Sequence, residues 1–226
     1  MLYRLLLIAL LSLPALARAD GLFVIELFTS QGCSSCPPAD EMLGEYAQRD
    51  DVIALSFHVD YWDYLGWSDT LADPGHSARQ KGYAMAAGHS MVYTPQMIIN
   101  GQHHIRGHQP LDLENLYDSD ITRPVVLEVS RQSDGGFVVY ASEVDARDLQ
   151  VLLVRFVPKT EVLMQRGENA GRTITYTNAV MQVEELTQWN GQSELSLQVE
   201  TSEDLGAVIL VQAVNHGPIL AAARLE

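Results

Sequence analysis

The chain has 226 residues, 47% of them hydrophobic, and its 14 basic against 29 acidic residues leave a formal charge of −15. Such an acidic balance excludes nucleic acid and anionic membrane surfaces as partners, since both repel it. A chain of this length buries a substantial core unaided, so its two cysteines are not needed as staples.

Residues 1–19 carry Arg4, an apolar run from Leu5 to Leu13, the helix breaker Pro14 and the small-residue pattern Ala17-Arg18-Ala19. This is the pattern of a secretory signal peptide cleaved before Asp20. The apolar run is short for a bilayer, and no later stretch is long and apolar enough to cross one. The expectation is an exported protein, periplasmic or secreted, free of the membrane after cleavage and in a compartment where disulfides persist.

After the leader, Leu22 to Phe28 forms a near-continuous apolar strand, as in a sheet covered on both faces. Cys33-Ser34-Ser35-Cys36-Pro37 follows and opens a helix over about Ser35 to Gln48. Two thiols spaced this way at a helix start close a disulfide with little backbone movement. The helix dipole and its free amides favour the first thiolate. Cys33 is therefore the expected nucleophile and Cys36 the resolving thiol. As a purely structural crosslink the pair is badly placed: a four-residue loop yields about 2 kcal/mol, against roughly 3 for fifteen residues. Ser34 and Ser35 add no charge between the thiols, so the direction of electron flow stays open.

Val52 to Phe57 is a second buried strand, completing a βαβ unit with parallel strands. An aromatic loop after it holds His58, Asp60, Tyr61, Trp62, Asp63, Tyr64 and Trp67, where α/β sheets place their ligand crevice. Tyr61 and Trp62 are candidate substrate contacts; a simple cap on the sheet is the alternative. A helix over about His76 to Ala87 leads to Thr94-Pro95, a strand from Gln96 to Asn100 and a tight hairpin at Asn100-Gly101. The next strand ends near Gly107, and Pro110 to Tyr117 suits a short helix with proline at its start.

This β-α-β-α-β-β-α order, with Cys-x-x-Cys after the first strand and Thr-Pro before the third, resembles the thioredoxin superfold over residues 21–118. The stretch Tyr93-Thr94-Pro95-Gln96-Met97-Ile98-Ile99-Asn100-Gly101 resembles the corresponding glutaredoxin segment. The resemblance implies a cis Pro95 facing the dithiol, with Thr94 pairing its backbone to an extended substrate. It also implies that Glu26 stands where thioredoxins keep a buried acid for the proton of the resolving cysteine. Over its mature length the chain is similar to a family of secreted thioredoxin-like proteins of unknown function. That similarity rests on Glu26 to Asp40, His58-Val59-Asp60-Tyr61-Trp62 and Arg166-Gly167-Glu168-Asn169-Ala170-Gly171-Arg172.

Pro124 marks a composition change. Beyond it, alternating segments at Val125–Val129, Phe137–Tyr140, Gln150–Val157, Ser193–Glu200, Ala207–Val214 and Ile219–Leu225 predict a smaller antiparallel β domain, a sandwich being one form. Asn178 to Trp189 suits helix or strand. The expected division is leader 1–19, thioredoxin-like domain 20–120 and β-rich domain 121–226. Arg166 to Arg172 reads as a docked interdomain loop, an anion contact or a plain surface turn.

His103, His104 and His108 raise metal as a question. Adjacent strand residues face opposite ways, so His103 and His104 do not share one ion. A dithiol plus one histidine suits Cu(I), and secreted thioredoxin-fold copper chaperones resemble this plan, though with three residues between their cysteines instead of two. The reading that results is a thiol–disulfide oxidoreductase acting on protein or small-molecule thiols, with no cofactor or resident metal. A copper-binding module or a non-catalytic thioredoxin-fold interaction protein is the alternative.

Overall fold

The computed structural model describes residues 22–119, 125–142, 147–202 and 204–226, with the backbone of Ala17–Arg18. The rest of the expected leader, and Pro124, lie outside the described residues. Twelve strands form two sheets among the described residues. The larger sheet contains β2 (Phe23–Thr29), β3 (Val52–His58), β4 (Gln96–Ile99), β5 (His103–Arg106), β8 (Leu149–Leu163), β9 (Thr173–Trp189), β11 (Gly206–Ala213) and β12 (Ile219–Arg224), in the order β12-β11-β8-β9-β3-β2-β4-β5. The smaller, antiparallel sheet has the order β1-β6-β7-β10, from β1 (Ala17–Arg18), β6 (Leu127–Arg131), β7 (Phe137–Ala141) and β10 (Leu195–Val199). Three α-helices accompany them among the described residues: α1 (Pro37–Tyr46), α2 (Pro74–Ala86) and α3 (Pro110–Tyr117). The molecule is thus a mixed α/β protein with few helices.

Local chemistry accounts for these elements. Every residue of β2 and β3 is buried, which their near-continuous apolar sequences allow. The two strands pair in parallel from Phe23–Val52 to Thr29–His58, as a βαβ crossover requires. Proline starts all three helices, where its missing N–H costs no hydrogen bond. Between β4 and β5, Asn100 and Gly101 adopt φ of 52° and 71°, the left-handed pair that a two-residue turn demands.

The larger sheet takes strands from both sides of residues 120/121. β3 pairs in parallel with β9 at Ser56–Ala179, which joins the C-terminal strands to the N-terminal ones edge to edge. Asn178 reinforces the seam by donating from Nδ2 to the Ala54 carbonyl at 2.8 Å. One core cluster also combines Val24, Phe28, Leu55 and Phe57 with Leu152, Val154, Val180 and Leu210. The C-terminal part of the expectation survives in altered form. The small sheet packs Leu127, Phe137 and Val139 against Leu149, Val151, Ile209 and Ala223 of the large one, giving sheet-on-sheet packing of which one layer is shared.

The segment 178–189 is strand, part of β9. β8 and β9 form a long hairpin whose ladder continues past Ala179 to Leu163–Thr173. Its outer portion carries Met164, Ile174 and Tyr176, buried against Trp67 and Leu71 of the aromatic loop. The hairpin therefore crosses from the C-terminal half onto the carboxyl ends of β2 and β3.

Candidate functional site

At those carboxyl ends lies the Cys33–Cys36 disulfide, with Cα atoms 5.5 Å apart. The helix begins later than the sequence suggested, at Pro37 with Cys36 as its N-cap, so Cys33 sits in a separate turn just outside it. That turn is closed by backbone bonds from Cys33 N–H to the Ser30 carbonyl (3.1 Å) and from Cys36 N–H to the Cys33 carbonyl (3.3 Å). Cys36 is fully buried and Cys33 retains 3% exposure, beside the exposed Ser34 and Ser35. Cys33 is thus the one of the two that borders the exposed pair Ser34–Ser35. Ser35 Oγ lies 3.4 Å from Cys33 Sγ.

Beside the disulfide, Ser35 shares a groove of about 490 Å³ with Tyr93, Thr94, Pro95, Arg106 and His108. The Thr94–Pro95 bond is cis. Trp62 donates from Nε1 to Thr94 Oγ1 at 2.7 Å, and its backbone lies against Gly32, where an added Cβ would meet Trp62 Cβ at 3.2 Å. Trp62 thus ties the proline segment to the dithiol turn. Tyr61 instead donates to Gln80 of α2 at 3.0 Å, and Tyr64 is exposed.

Glu26 is placed differently from its expected role. Val24, Glu26 and Phe28 point to one face of β2, whereas Ile25 and Leu27 on the other face pack with Ala39 and Leu43 of α1. Glu26 is consequently on the face opposite the helix that Cys36 caps. It accepts from Arg79 Nε at 2.7 Å and from the Tyr83 hydroxyl, all three being buried. Arg79 also donates to Tyr83 and to Gln212 of β11. Burial works against the Arg79 charge, and Glu26 and Tyr83 together outweigh it, holding the guanidinium above its usual range. The geometry makes Glu26 one half of a buried ion pair and removes it as a proton acceptor for Cys36.

A different carboxyl lies one helical turn on from Cys36. Asp40 follows Cys36 by four residues, with its N–H bonded to the Cys36 carbonyl at 3.1 Å, so both side chains lie on the helix stripe that continues to Leu43. Asp40 is buried, and neither carboxyl oxygen has a hydrogen-bond partner among the described residues; the same holds for His58 Nε2 and Thr29 Oγ1. Burial pushes the Asp40 carboxyl up to about 7, against the pull of nearby His58 and Thr29 and with a further push from Asp69. His58 Nδ1 lies 2.8 Å from Asp69 Oδ2, which also accepts from Gln31 N–H at 2.8 Å. The Tyr176 ring from the hairpin packs edge-on to His58, centroids 4.5 Å apart. A buried acid–imidazole–acid cluster therefore underlies the dithiol turn. Asp40 was legible in the sequence only as an acid on the apolar stripe of the helix.

The loop 166–172 reaches the dithiol turn through Asn169. Asn169, 1% exposed, donates from Nδ2 to the Gln31 and Cys33 carbonyls, each at 3.0 Å. Of the histidines, His104 packs against His89 with ring centroids 5.7 Å apart, and His103 and His108 are exposed. Among the described residues no group of three or more His, Cys, Asp or Glu is arranged to hold a metal ion. No described helix is long and apolar enough to cross a membrane.

Fold and site together define a class: a mixed α/β protein with a Cys-x-x-Cys disulfide at the carboxyl edge of a continuous sheet. The chain belongs to the DUF1223 family, proteins of unknown function, whose model matches residues 24–212. A crystal structure of an Agrobacterium tumefaciens protein, from a structural genomics programme, is 32% identical with a TM-score of 0.76, and the match covers 91% of this chain and 95% of that one. The structure titled HBP35 of Porphyromonas gingivalis is 14% identical with a TM-score of 0.65 over 91% of this chain and 74% of that one, a likeness of fold alone. No curated protein matches the chain.

Proposed function

We propose that the protein is an exported thiol–disulfide oxidoreductase of thioredoxin-like plan, acting on protein or small-molecule thiols and disulfides. The observation that carries this reading is the Cys33–Cys36 disulfide, flanked by the exposed Ser34 and Ser35 and followed one helical turn on by a buried carboxyl, Asp40. A staple has no use for such a carboxyl. The β-α-β-α-β-β-α order of residues 23–117 and the cis Thr94–Pro95 beside the dithiol turn support the thioredoxin-like assignment. The leader pattern of residues 1–19 supports export.

In the reducing direction the Cys33 thiolate attacks one sulfur of a substrate disulfide, forming a mixed disulfide and releasing the other sulfur as thiolate. Asp40 takes the proton of the Cys36 thiol. The Cys36 thiolate then attacks Cys33 Sγ, and the second substrate sulfur leaves, so two electrons pass to the substrate and the protein ends as the disulfide. Each step reverses for oxidation of a substrate dithiol. A group that ionises near pH 7 is suited to exchange this proton in either direction. Substrate lies along the groove between Ser35 and Thr94–Pro95, with Trp62 fixing its wall.

Insulin with dithiothreitol provides the test. Catalysed precipitation of the insulin B chain is expected for the wild type, with the rate falling to the uncatalysed level in Cys33→Ser. Equal rates with and without the wild-type protein, with insulin or with a small mixed disulfide, contradict the proposal.

A further inference from the structure

The tip of the β8–β9 hairpin is built for a close approach to the dithiol turn. It is closed by backbone bonds from Met164 to Arg172 (2.9 Å), Gly171 to Met164 (2.7 Å), Ala170 to Gly167 (3.2 Å) and Arg172 to Asn169 (3.1 Å). Gly167 has φ of 78°, and an added Cβ would stand 3.0 Å from Trp67 Cβ, so only glycine lets the tip sit this near the aromatic loop. Arg172 Nη1 donates to Asn169 Oδ1 at 3.1 Å, which orients the amide. Its Nδ2 is left to face the Gln31 and Cys33 carbonyls at 3.0 Å each. Gln31 is held from the other side as well, by Asp69 on its N–H and by Trp67 Nε1 on Oε1 at 2.7 Å. The Cys33 carbonyl receives its side-chain hydrogen bond from Asn169 alone among the described residues.

From this arrangement we propose that Asn169 is a positioning residue of the dithiol: by binding the Cys33 carbonyl it restricts the turn, so that the reduced thiols stay near disulfide geometry and the disulfide is favoured. The inference rests on the thiol–disulfide reading. Its physical basis is effective concentration. Two thiols on a stiff turn meet more often than on a loose one, and the oxidation equilibrium constant rises accordingly. The C-terminal half thereby sets the potential of a dithiol carried by the N-terminal half, from 136 residues away in sequence.

Equilibration with glutathione measures this. In that reaction the dithiol passes two electrons to oxidised glutathione, which leaves as two thiols, while Cys33 and Cys36 form the disulfide. Asn169→Ala is expected to lower the equilibrium constant about tenfold, a shift of about 30 mV towards a more oxidising potential. Arg172→Ala, an exposed change that leaves the turn untouched, is expected to act in the same direction by about threefold. A role confined to stability would weaken the oxidised and reduced folds alike and leave the constant where it was, because the constant changes only by the difference between those two effects. Constants within twofold of wild type for both variants overturn the inference while the thiol–disulfide reading stands. Should Asn169→Ala fail to fold, Arg172→Ala decides by the same criterion. A wild-type disulfide that does not equilibrate with glutathione overturns the reading itself and the inference with it.

Discussion

Arg79→Met is expected to lower the unfolding free energy by about 3–5 kcal/mol, the cost of leaving a buried carboxylate without its partner. Glu26 is fully buried on β2, and Arg79 is the cation that meets it. The loss reaches further than one pair. Arg79 also bonds Tyr83 and Gln212, and Gln212 Nε2 donates to the Tyr83 hydroxyl and the Gly217 carbonyl. The network therefore joins α2 and β2 to the strand β11 of the C-terminal half. Glu26→Gln/Arg79→Met, which removes both charges, is expected to recover a large part of the loss, since an apolar or neutral pair avoids the stranded charge. Guanidinium unfolding read by fluorescence and by circular dichroism measures both variants. A loss under about 1 kcal/mol for the single variant would mean that the pair contributes nothing net.

Asp40→Asn is expected to act in the opposite direction. Its carboxyl titrates at about 7 in the folded protein against 3.8 for an unburied aspartate. Between those values the native state binds the extra proton, so stability falls as pH rises from about 4 to 7 and is level above that. The raised acid thus costs the native state up to about 4 kcal/mol at pH 8, and nothing below pH 4. Asparagine never ionises, so Asp40→Asn should be more stable than wild type at pH 8, with the gain vanishing near pH 4. The same variant should slow release of the mixed disulfide between Cys33 and substrate, because the Cys36 proton loses its acceptor. A destabilising group that the resolving step requires is the trade expected of a functional site. Unfolding curves at pH 4 and pH 8, with single-turnover insulin reduction, check both halves; equal stability at both pH values would contradict the buried ionisation.

Most of the elements were legible because each carried a local signal. β2 and β3 read as buried strands from unbroken apolar runs, α3 from Pro110 at its start, and the β4–β5 turn from Asn100-Gly101. What was not legible depends on long-range choices. The seam that makes one large sheet is a single register pair, Ser56–Ala179, and no local pattern encodes it. The sequence parity of β2 sets Glu26 apart from Ile25 and Leu27, but only the folded crossover decides which of those faces α1 covers. The site divides in the same way. Cys33, Cys36, Thr94 and Pro95 carry signals of motif and spacing, and Ser35 of the dithiol turn shares one groove with Thr94 and Pro95. Asp40 was hidden as an ordinary helical acid, and Asn169 sits on a hairpin that reaches the turn only after the C-terminal strands have assembled.

In the proposed cycle Cys33 attacks and Cys36 resolves, and capture of covalent adducts separates the two roles. Cys36→Ser leaves a nucleophile on the solvent side of the turn with nothing to release it, so mixed disulfides between Cys33 and its substrates should accumulate. Cys33→Ser leaves only Cys36, fully buried at the helix cap, and should capture far less. Acid quenching in the native compartment, followed by mass spectrometry, counts the adducts and identifies the bound thiols. An excess of about tenfold is expected for Cys36→Ser over Cys33→Ser, because Cys36 is fully buried at the helix cap while Cys33 borders the exposed Ser34 and Ser35. Equal capture by both variants, or none by either, would contradict it.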